Sequence, residues 1–367
     1  MLLLTTTRDA LLSPLQSVSG IVEKRHTLPI LSNVMIEKRG EALTLLATDI
    51  EIQIKTSTIG NGGEDLAITV GARKLQDILR ALPEGSPVSL SLDDKRLTLK
   101  AGKSRFQLQT LPAADYPRLS VPTEEGLSFS LPQRTFKRQL ALVQYAMAQQ
   151  DIRYYLNGLL LVATGHELRM VATDGHRLAY ASGAIDAEVP KTEVILPRKT
   201  VLELARQLAD SDDPLEMTIA GSQIVFRFGP IELISKLIDG KFPDYERVIP
   251  QHHPKLLNLD RVVLLAALQR AAILSNEKFR GVRLVLSDGS LKIISSNAEQ
   301  EEAQEELELD YAGDTLDIGF NVTYLLDVLN NVSNETVEWR FNDGNSSALV
   351  TLPGNERFKY VVMPMRI

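Results

Sequence analysis

The sequence predicts an α+β chain built from three copies of one domain, each with two helices packed on antiparallel sheets. Three marks that recur in the same order predict it. A polar pair closes a hydrophobic run at Thr48-Asp49, Thr173-Asp174 and Ser296-Asn297, at offsets of 125 and 123 residues. An apolar stretch then leads into a helical pattern in ITVGARKLQDILRAL from Ile68, VILPRKTVLELARQL from Val194 and DIGFNVTYLLDVLNNV from Asp317. An apolar residue followed by proline ends each unit, at Tyr116-Pro117, Phe242-Pro243 and Met363-Pro364. This period exceeds the roughly 20–50 residues of solenoid repeats, so each copy requires a core of its own. The 367 residues fit two to three domains at about 150 residues each. The proline-bearing linkers RLSVPTEEG and IPQHHPK place the boundaries at 1–125, 126–253 and 254–367.

Within each copy the periodicity reads helix, strands, helix, strands. Helices are expected over 7–17, 72–82, 133–148, 197–209, 259–272 and 321–331. Pro14 interrupts the first pattern, so that helix should begin late or kink. In the second helix Leu75, Ile78, Leu79 and Leu82 form an apolar stripe, with Arg73, Lys74 and Arg80 away from it. In the third, Phe136, Leu140, Val143 and Met147 share one face, and Arg134, Lys137, Arg138, Gln144 and Tyr145 take the other. VSLSLDDKRLTLKAG and SRFQLQTL alternate as the two arms of a hairpin, as do LEMTIAGSQIVFRFG and PIELISKLI.

Composition narrows the classes. The chain has no cysteine, so neither disulfides nor thiolate metal sites are expected. MLLLTTTRDALL lacks a basic n-region, and no apolar run approaches the roughly 20 residues of a membrane span. A soluble cytoplasmic protein with no membrane partner is expected, and Asn-x-Ser/Thr at Asn321, Asn331, Asn334 and Asn345 is then incidental. The net charge is −7, yet the six expected helices together carry +7, leaving −14 on the rest. Basic helices on an acidic protein concentrate positive potential where a polyanion can approach; ordinary solvated helix faces are the plain alternative.

The two ends of the chain differ in charge. Lys95, Arg96, Lys100, Lys103 and Arg105 surround Phe106 and Leu108 in the first copy. In the third, Glu299, Glu301, Glu302, Glu305 and Glu306 follow the apolar Ile273 and Leu274. Such ends suit a head-to-tail contact, which closes into a ring when the rotation per repeat divides a circle. An acidic edge that merely guards against aggregation is the competing reading.

The segments TLPILSN (27–33), TLPAADYP (110–117), QQDIRYYLNG (149–158), VATDGHRLA (171–179), KLIDGKFPDYERV (236–248), AILSNEKFRGVRL (272–284), IGFNVTYLLDVL (318–329) and the terminal YVVMPMRI resemble the bacterial DNA polymerase III beta subunit family, the sliding clamps. The resemblance spans the chain. It implies DNA-clamp domains, six in a ring formed by a head-to-tail homodimer, with twelve helices around duplex DNA and sheets outside. It implies DNA contacts at Lys24, Arg73, Gln149, Tyr154, Tyr155, Arg198 and Lys199, which meet phosphates without reading bases. It implies a pairing surface of Lys74, Arg96, Lys103, Arg105, Phe106, Leu108, Ile273, Leu274, Glu299, Glu301, Glu302 and Glu305.

The resemblance also implies a peptide pocket of Leu156, Thr173, Gly175, His176, Arg177, Leu178, Pro243, Arg247, Val248, Phe279, Asn321, Tyr324, Ser347, Val361, Val362, Met363, Pro364, Met365 and Arg366. Its chemistry suits leucine and phenylalanine anchors of an extended motif, with Arg177 and Arg366 at the rim and the chain end free beside the cleft. The implied partners are the DNA polymerase III alpha subunit, the clamp loader, and other polymerases and repair proteins carrying such motifs. Ile367 and Asn345 depart from the family pattern, which has leucine and an apolar residue there. An enzyme using Asp174 and His176 as an acid/base pair is the contrary class, but no triad partner, phosphate loop or His-Glu-x-x-His spacing accompanies them, and no cofactor or metal is expected. A repeat scaffold that binds proteins without DNA is the other alternative.

Overall fold

The computed structural model describes residues 1–23, 28–123 and 125–366. Among the described residues six α-helices form in chain order: α1 (Arg8–Ser19), α2 (Ala72–Ala81), α3 (Gln133–Val143), α4 (Arg198–Gln207), α5 (Arg261–Ala272) and α6 (Val322–Asn331). Each begins where a strand ends, and a short polar residue closing the strand can satisfy one of the helix's open N–H groups. Thr7 Oγ1 accepts from Ala10 N at 3.3 Å, Asp260 from Val263 N at 2.9 Å and Asn321 from Thr323 N at 2.9 Å. α1 starts at Arg8 with Pro14 inside it, rather than starting late. The buried Leu11, Leu12, Leu15 and Val18 hold it against the bond that Pro14 cannot donate. α3 stops at Val143 and passes into a 3-10 turn, Gln144–Ala146, short of the expected residue 148.

The chain folds as two compact units, Met1–Arg134 with Leu202–Leu237, and Thr135–Val201 with Ile238–Ile367. The first holds a twelve-stranded antiparallel sheet. Its order is Leu2–Thr7, Pro87–Asp93, Arg96–Ala101, Ser104–Pro112, Leu66–Gly71, Asn33–Arg39, Ala42–Thr48, Ile52–Ile59, Ile231–Lys236, Gln223–Phe228, Pro214–Ala220 and Leu127–Pro132. The second unit holds a six-stranded sheet ordered Gly158–Thr173, Arg177–Pro197, Asn355–Val362, Ala348–Leu352, Thr336–Phe341 and Lys255–Asp260. It also holds a four-stranded sheet ordered Glu302–Glu308, Ser290–Ser296, Gly281–Ser287 and Leu316–Asn321. SRFQLQTL and PIELISKLI each form one strand as expected, but VSLSLDDKRLTLKAG and LEMTIAGSQIVFRFG each fold into two, because Asp94 (φ 50°) and Gly221 (φ 54°) take left-handed turns between Asp93 and Arg96 and between Ala220 and Gln223.

Both units are seamed by the same device, a strand of one repeat paired edge to edge with a strand of the next. In the first unit Ile54 lies opposite Leu233 and Gln53 opposite Ile234; in the second Leu178 lies opposite Val361 and Ala179 opposite Tyr360. Ile54, Leu233, Ala179 and Tyr360 are fully buried, so each seam is core as well as ladder. In the first unit α1 packs on α2 and on the strands Ala42–Thr48 and Ile52–Ile59; in the second α5 packs on α6 and on Ser290–Ser296 and Glu302–Glu308.

The third sequence mark has a mechanical role. Tyr116, beside Pro117, is buried against Met35 and Leu46, and its hydroxyl donates to Asn33 O at 2.9 Å while accepting from Thr48 N at 3.3 Å. It thereby ties the first mark to the third. Burial pushes its phenol up to about 12, against the opposing pull of the Thr48 hydrogen bond. Tyr116→Phe should leave two buried backbone groups short of a partner and lower the unfolding free energy by about 1–3 kcal/mol, read as a reduced urea midpoint.

Candidate functional site

Each polar pair builds a turn between two strands. In the first copy Thr48 Oγ1 donates to Ile52 O and accepts from Ile50 N, while Asp49 Oδ1 accepts from Glu51 N and Ile52 N at 2.9 and 2.8 Å. The second copy repeats this: Thr173 Oγ1 bonds Arg177 O at 2.6 Å and Gly175 N at 3.1 Å, and Asp174 Oδ1 accepts from His176 N and Arg177 N. In the third, Asn297 Oδ1 accepts from Glu299 N and Glu301 N. Each turn has one left-handed residue, Ile50 (φ 73°), Gly175 (φ 88°) or Gln300 (φ 64°). The second copy has glycine there, where an added Cβ would lie 3.0 Å from the Arg153 guanidinium. The Asp174–His176 spacing is therefore turn geometry, with Asp174 Oδ1 on the backbone and Oδ2 accepting from Arg177 Nε at 3.2 Å.

Arg177 is not a rim residue; its side chain is only 9% exposed. Besides Asp174 it pairs through Nη1 with Asp327 of α6 and donates through Nη2 to Tyr145 O at 2.6 Å. Its guanidinium lies 4.5 Å from the Tyr324 ring centre and 5.7 Å from that of Tyr145. Tyr324 stacks on His176 with ring centres 6.5 Å apart. Tyr145 thus joins the buried set rather than the polar face of α3. Burial pushes its phenol well up, and Tyr360, 5.7 Å away ring to ring, adds to the shift. Tyr145, Asp327 and Tyr360 escaped sequence reasoning because nothing local marks a side chain that meets its partner across two repeats.

All the implied pocket residues lie in the second unit. Leu156, Leu178 and Val361 belong to a buried cluster with Phe242, Tyr245 and Ile249. Thr173 and Val362 are also buried; Asn321, Tyr324, Ser347, Pro364 and Met365 are half-buried; Gly175, His176, Pro243, Arg247, Val248, Phe279, Met363 and Arg366 are exposed. Val248, Met363 and Phe279 are large apolar side chains left 46%, 48% and 57% exposed. The chain end is not free through Met365, contrary to expectation. Met363 N donates to His176 O at 2.9 Å and Met365 N to Gly319 O at 2.8 Å. Asn345 sits in a turn where its N–H meets Asp343 Oδ1; Ile367 lies outside the described residues.

Of the implied DNA contacts, Lys24 lies outside the described residues. Arg73, in the first unit, is exposed and donates to Val22 O at 3.2 Å. The others lie in the second. Gln149, Tyr154 and Tyr155 ride a loop closed by Ala148 N to Leu156 O at 3.0 Å and by two bonds between Asp151 and Asn157. Arg153 grips Asp151 with two side-chain donors and reaches Asp174 O at 3.2 Å. Tyr154 is 58% exposed and edge-on to Tyr155 at 5.8 Å; Ile152, which sequence reasoning passed over, is 96% exposed. Arg198 donates to Met147 O at 3.2 Å, and Lys199 is half-buried beside it in α4.

Most of the implied pairing residues lie on or next to the strands Arg96–Ala101, Ser104–Pro112 and Glu302–Glu308, whereas Lys74 is in α2 and Ile273 and Leu274 follow α5. Ser104–Pro112 pairs with Arg96–Ala101 on one side and meets Leu66–Gly71 only through residues 110–112 on the other. Glu302–Glu308 ends its sheet, paired only with Ser290–Ser296. Lys74, Arg96, Lys103, Arg105, Glu299, Glu301 and Glu302 are exposed, Phe106, Leu108, Leu274 and Glu305 half-buried, and Ile273 76% exposed. Glu305 already accepts two bonds from Arg270, at 2.8 and 2.6 Å. Among the described residues no cluster of three or more His, Asp or Glu side chains could hold a metal, and no helix is long and apolar enough to cross a membrane.

Strand-seamed repeats, each with two helices, ending in one basic and one acidic sheet edge, define the class of repeated-domain clamps. The chain belongs to the DNA polymerase III beta subunit family, the sliding clamps: the family's N-terminal, central and C-terminal domain models match residues 2–120, 130–244 and 246–366. It is 49% identical to the beta sliding clamp of Pseudomonas aeruginosa and 47% identical to that of Escherichia coli, over 99% of each chain in both cases. A crystal structure of the Pseudomonas aeruginosa clamp bound to griselimycin superposes with a TM-score of 0.95 at 48% identity, covering all of both chains.

The 149–157 loop carries a pH test. Its Asp151 carboxyl is held down to about 2, chiefly by the Arg153 guanidinium. A depressed folded pKa contributes order above the unfolded value and loses it as the pH falls through the folded one. Hydrogen-exchange protection of the Arg153 amide, which donates to Asp151 Oδ1 at 2.8 Å, should be full at about pH 5 and fall away toward about pH 2.

Proposed function

We propose that two copies of this chain close head to tail into a ring of six domains around duplex DNA. The domains are taken as 1–125, 126–253 and 254–367. The ring is a non-catalytic, cytoplasmic tether for the DNA polymerase III alpha subunit, the clamp loader and other polymerases and repair proteins. These partners dock a linear leucine- and phenylalanine-bearing peptide in the second unit, against Leu178, Val248 and Met363.

The seams carry this reading. Gln53, Leu178 and Glu302 are equivalent, because they lie opposite Thr48, Thr173 and Ser296 of the three polar pairs. Leu111, Ile238 and Met365 are equivalent, because each meets the backbone three residues before its second helix, at Thr69, Ile195 and Gly319. In both seams the residue four before the latter set faces the former: Ile234 opposite Gln53, Val361 opposite Leu178. The same rule sets Glu302 opposite Gln107 of the partner subunit. It joins the strand carrying Glu302 and Glu306 to the one carrying Arg105, Phe106 and Leu108, with Lys103 in the turn just before it.

The register is open to a covalent test, since the chain has no cysteine of its own. Directly opposed residues of antiparallel strands sit about 4.5–5.5 Å apart, within disulfide reach. Gln107→Cys with Glu302→Cys should give an oxidised dimer, and rings oxidised after loading on nicked circular DNA should resist high salt yet leave once the DNA is linearised. Phe106→Cys with Glu302→Cys, slipped by one residue to the opposite face, should not link. Linkage of the slipped pair alone would reject the register, and loss of the linked ring from intact circles would reject encirclement.

The DNA contacts separate from ring closure by charge. Arg73→Glu with Lys199→Glu should leave the solution mass at that of a dimer and weaken DNA binding. Each lost phosphate contact should flatten the slope of log affinity against log salt by about 0.9. An unchanged slope would remove these two residues from the DNA surface.

A further inference from the structure

We infer that Asp327 is a positioning residue for the docked peptide, holding the Arg177 guanidinium so that Tyr324 and His176 keep one wall of the pocket. The inference rests on the peptide-docking reading and deepens it. Asp327 and Tyr324 lie one helical turn apart on α6, both half-buried beside the buried Leu325, Val328 and Leu329. Arg177 meets both, by an ion pair with the first and face-on contact with the second at 4.5 Å. With Asp174 on its Nε and Tyr145 O on its Nη2, Asp327 is the one acid that the third repeat contributes to this guanidinium. The arginine's own turn carries His176, whose ring stacks on Tyr324 and whose carbonyl holds Met363 N. Removing the Asp327 charge leaves a side chain only 9% exposed with one fewer counter-ion, and lets the guanidinium turn toward Asp174, away from Tyr324. The wall then loses its fixed geometry without losing any residue that touches the peptide.

The probe is a short fluorescein-labelled peptide ending in Leu-Phe, titrated into the full chain. Asp327→Asn should raise its Kd by roughly tenfold or more, the usual scale for losing a charged support behind a binding group. The dimer mass should be kept, and the His176 imidazole proton resonances should move as the Tyr324 ring current shifts. Asp327→Glu, which restores the charge on a longer arm, should recover most of the affinity. Asp327→Ser, which also removes the charge, gives the reading if the Asn variant does not fold. Wild-type affinity in a folded variant that lacks the charge, with unmoved His176 resonances, would overturn the inference. So would an affinity loss that merely tracks unfolding, with those resonances unchanged in the folded fraction. Failure of the docking reading looks different: wild-type protein that ignores the peptide, or binds it no better than Met363→Glu does, refutes the pocket itself and this inference with it.

Discussion

Edge-to-edge strand pairing between repeats is the interaction on which the rest of the molecule depends. An unpaired edge exposes a row of N–H and C=O groups that water must satisfy and that any extended chain can template upon. Here the Ile52–Ile59 edge of the first repeat and the Arg177–Pro197 edge of the second are each capped by the next repeat, with fully buried Ile54, Leu233, Ala179 and Tyr360 at the joints. One repeat's liability is the next repeat's attachment point. In the third repeat the corresponding strand, Glu302–Glu308, pairs with Ser290–Ser296 and leaves its other edge open among the described residues, and the first repeat carries the matching strand Ser104–Pro112.

The same joint underlies the proposed docking site. The turn that begins the seam strand in the second repeat is the one holding Thr173 to Arg177, and the strand it meets runs into Val362 and Met363. An apolar cleft at such a joint has a floor fixed by two repeats and walls free to differ from the other joint. In the first repeat the corresponding turn carries Ile50 and Glu51 in place of Gly175 and His176, and no arginine follows them. Only the second seam therefore has the guanidinium that reaches across to α6.

The repeat was legible because its marks are local chemistry. Thr48-Asp49 and Thr173-Asp174 close the same turn with the same hydrogen bonds, and Tyr116 locks the first of those turns to the end of its unit. Charge on the helices and at the two ends could likewise be counted along the chain. What could not be read there depends on distance in sequence. Arg177 and Asp327 are 150 residues apart, and their pairing turned an expected rim residue into a buried one. Tyr145 looked polar by helical phase, yet α3 ends before it and a 3-10 turn swings it inward. The binding of Met363 and Met365 by backbone groups of other elements was equally invisible, because an extended tail has no periodicity to reveal its partners.

In the proposed ring two joints are built within one chain and a third between two chains, and this has a kinetic meaning. A seam tethered by its own polypeptide re-forms at the high effective concentration the connecting chain imposes, whatever the dilution. A joint between separate chains has no such tether, so its occupancy follows mass action. With Lys103 and Arg105 on one edge and Glu301 and Glu302 on the other, the between-chain joint is also the one whose encounter rate salt controls. In the proposed ring, opening and subunit exchange are thereby confined to a predetermined place, and the lifetime of the closed assembly is tuned by substitutions on two strands without touching the stability of either unit.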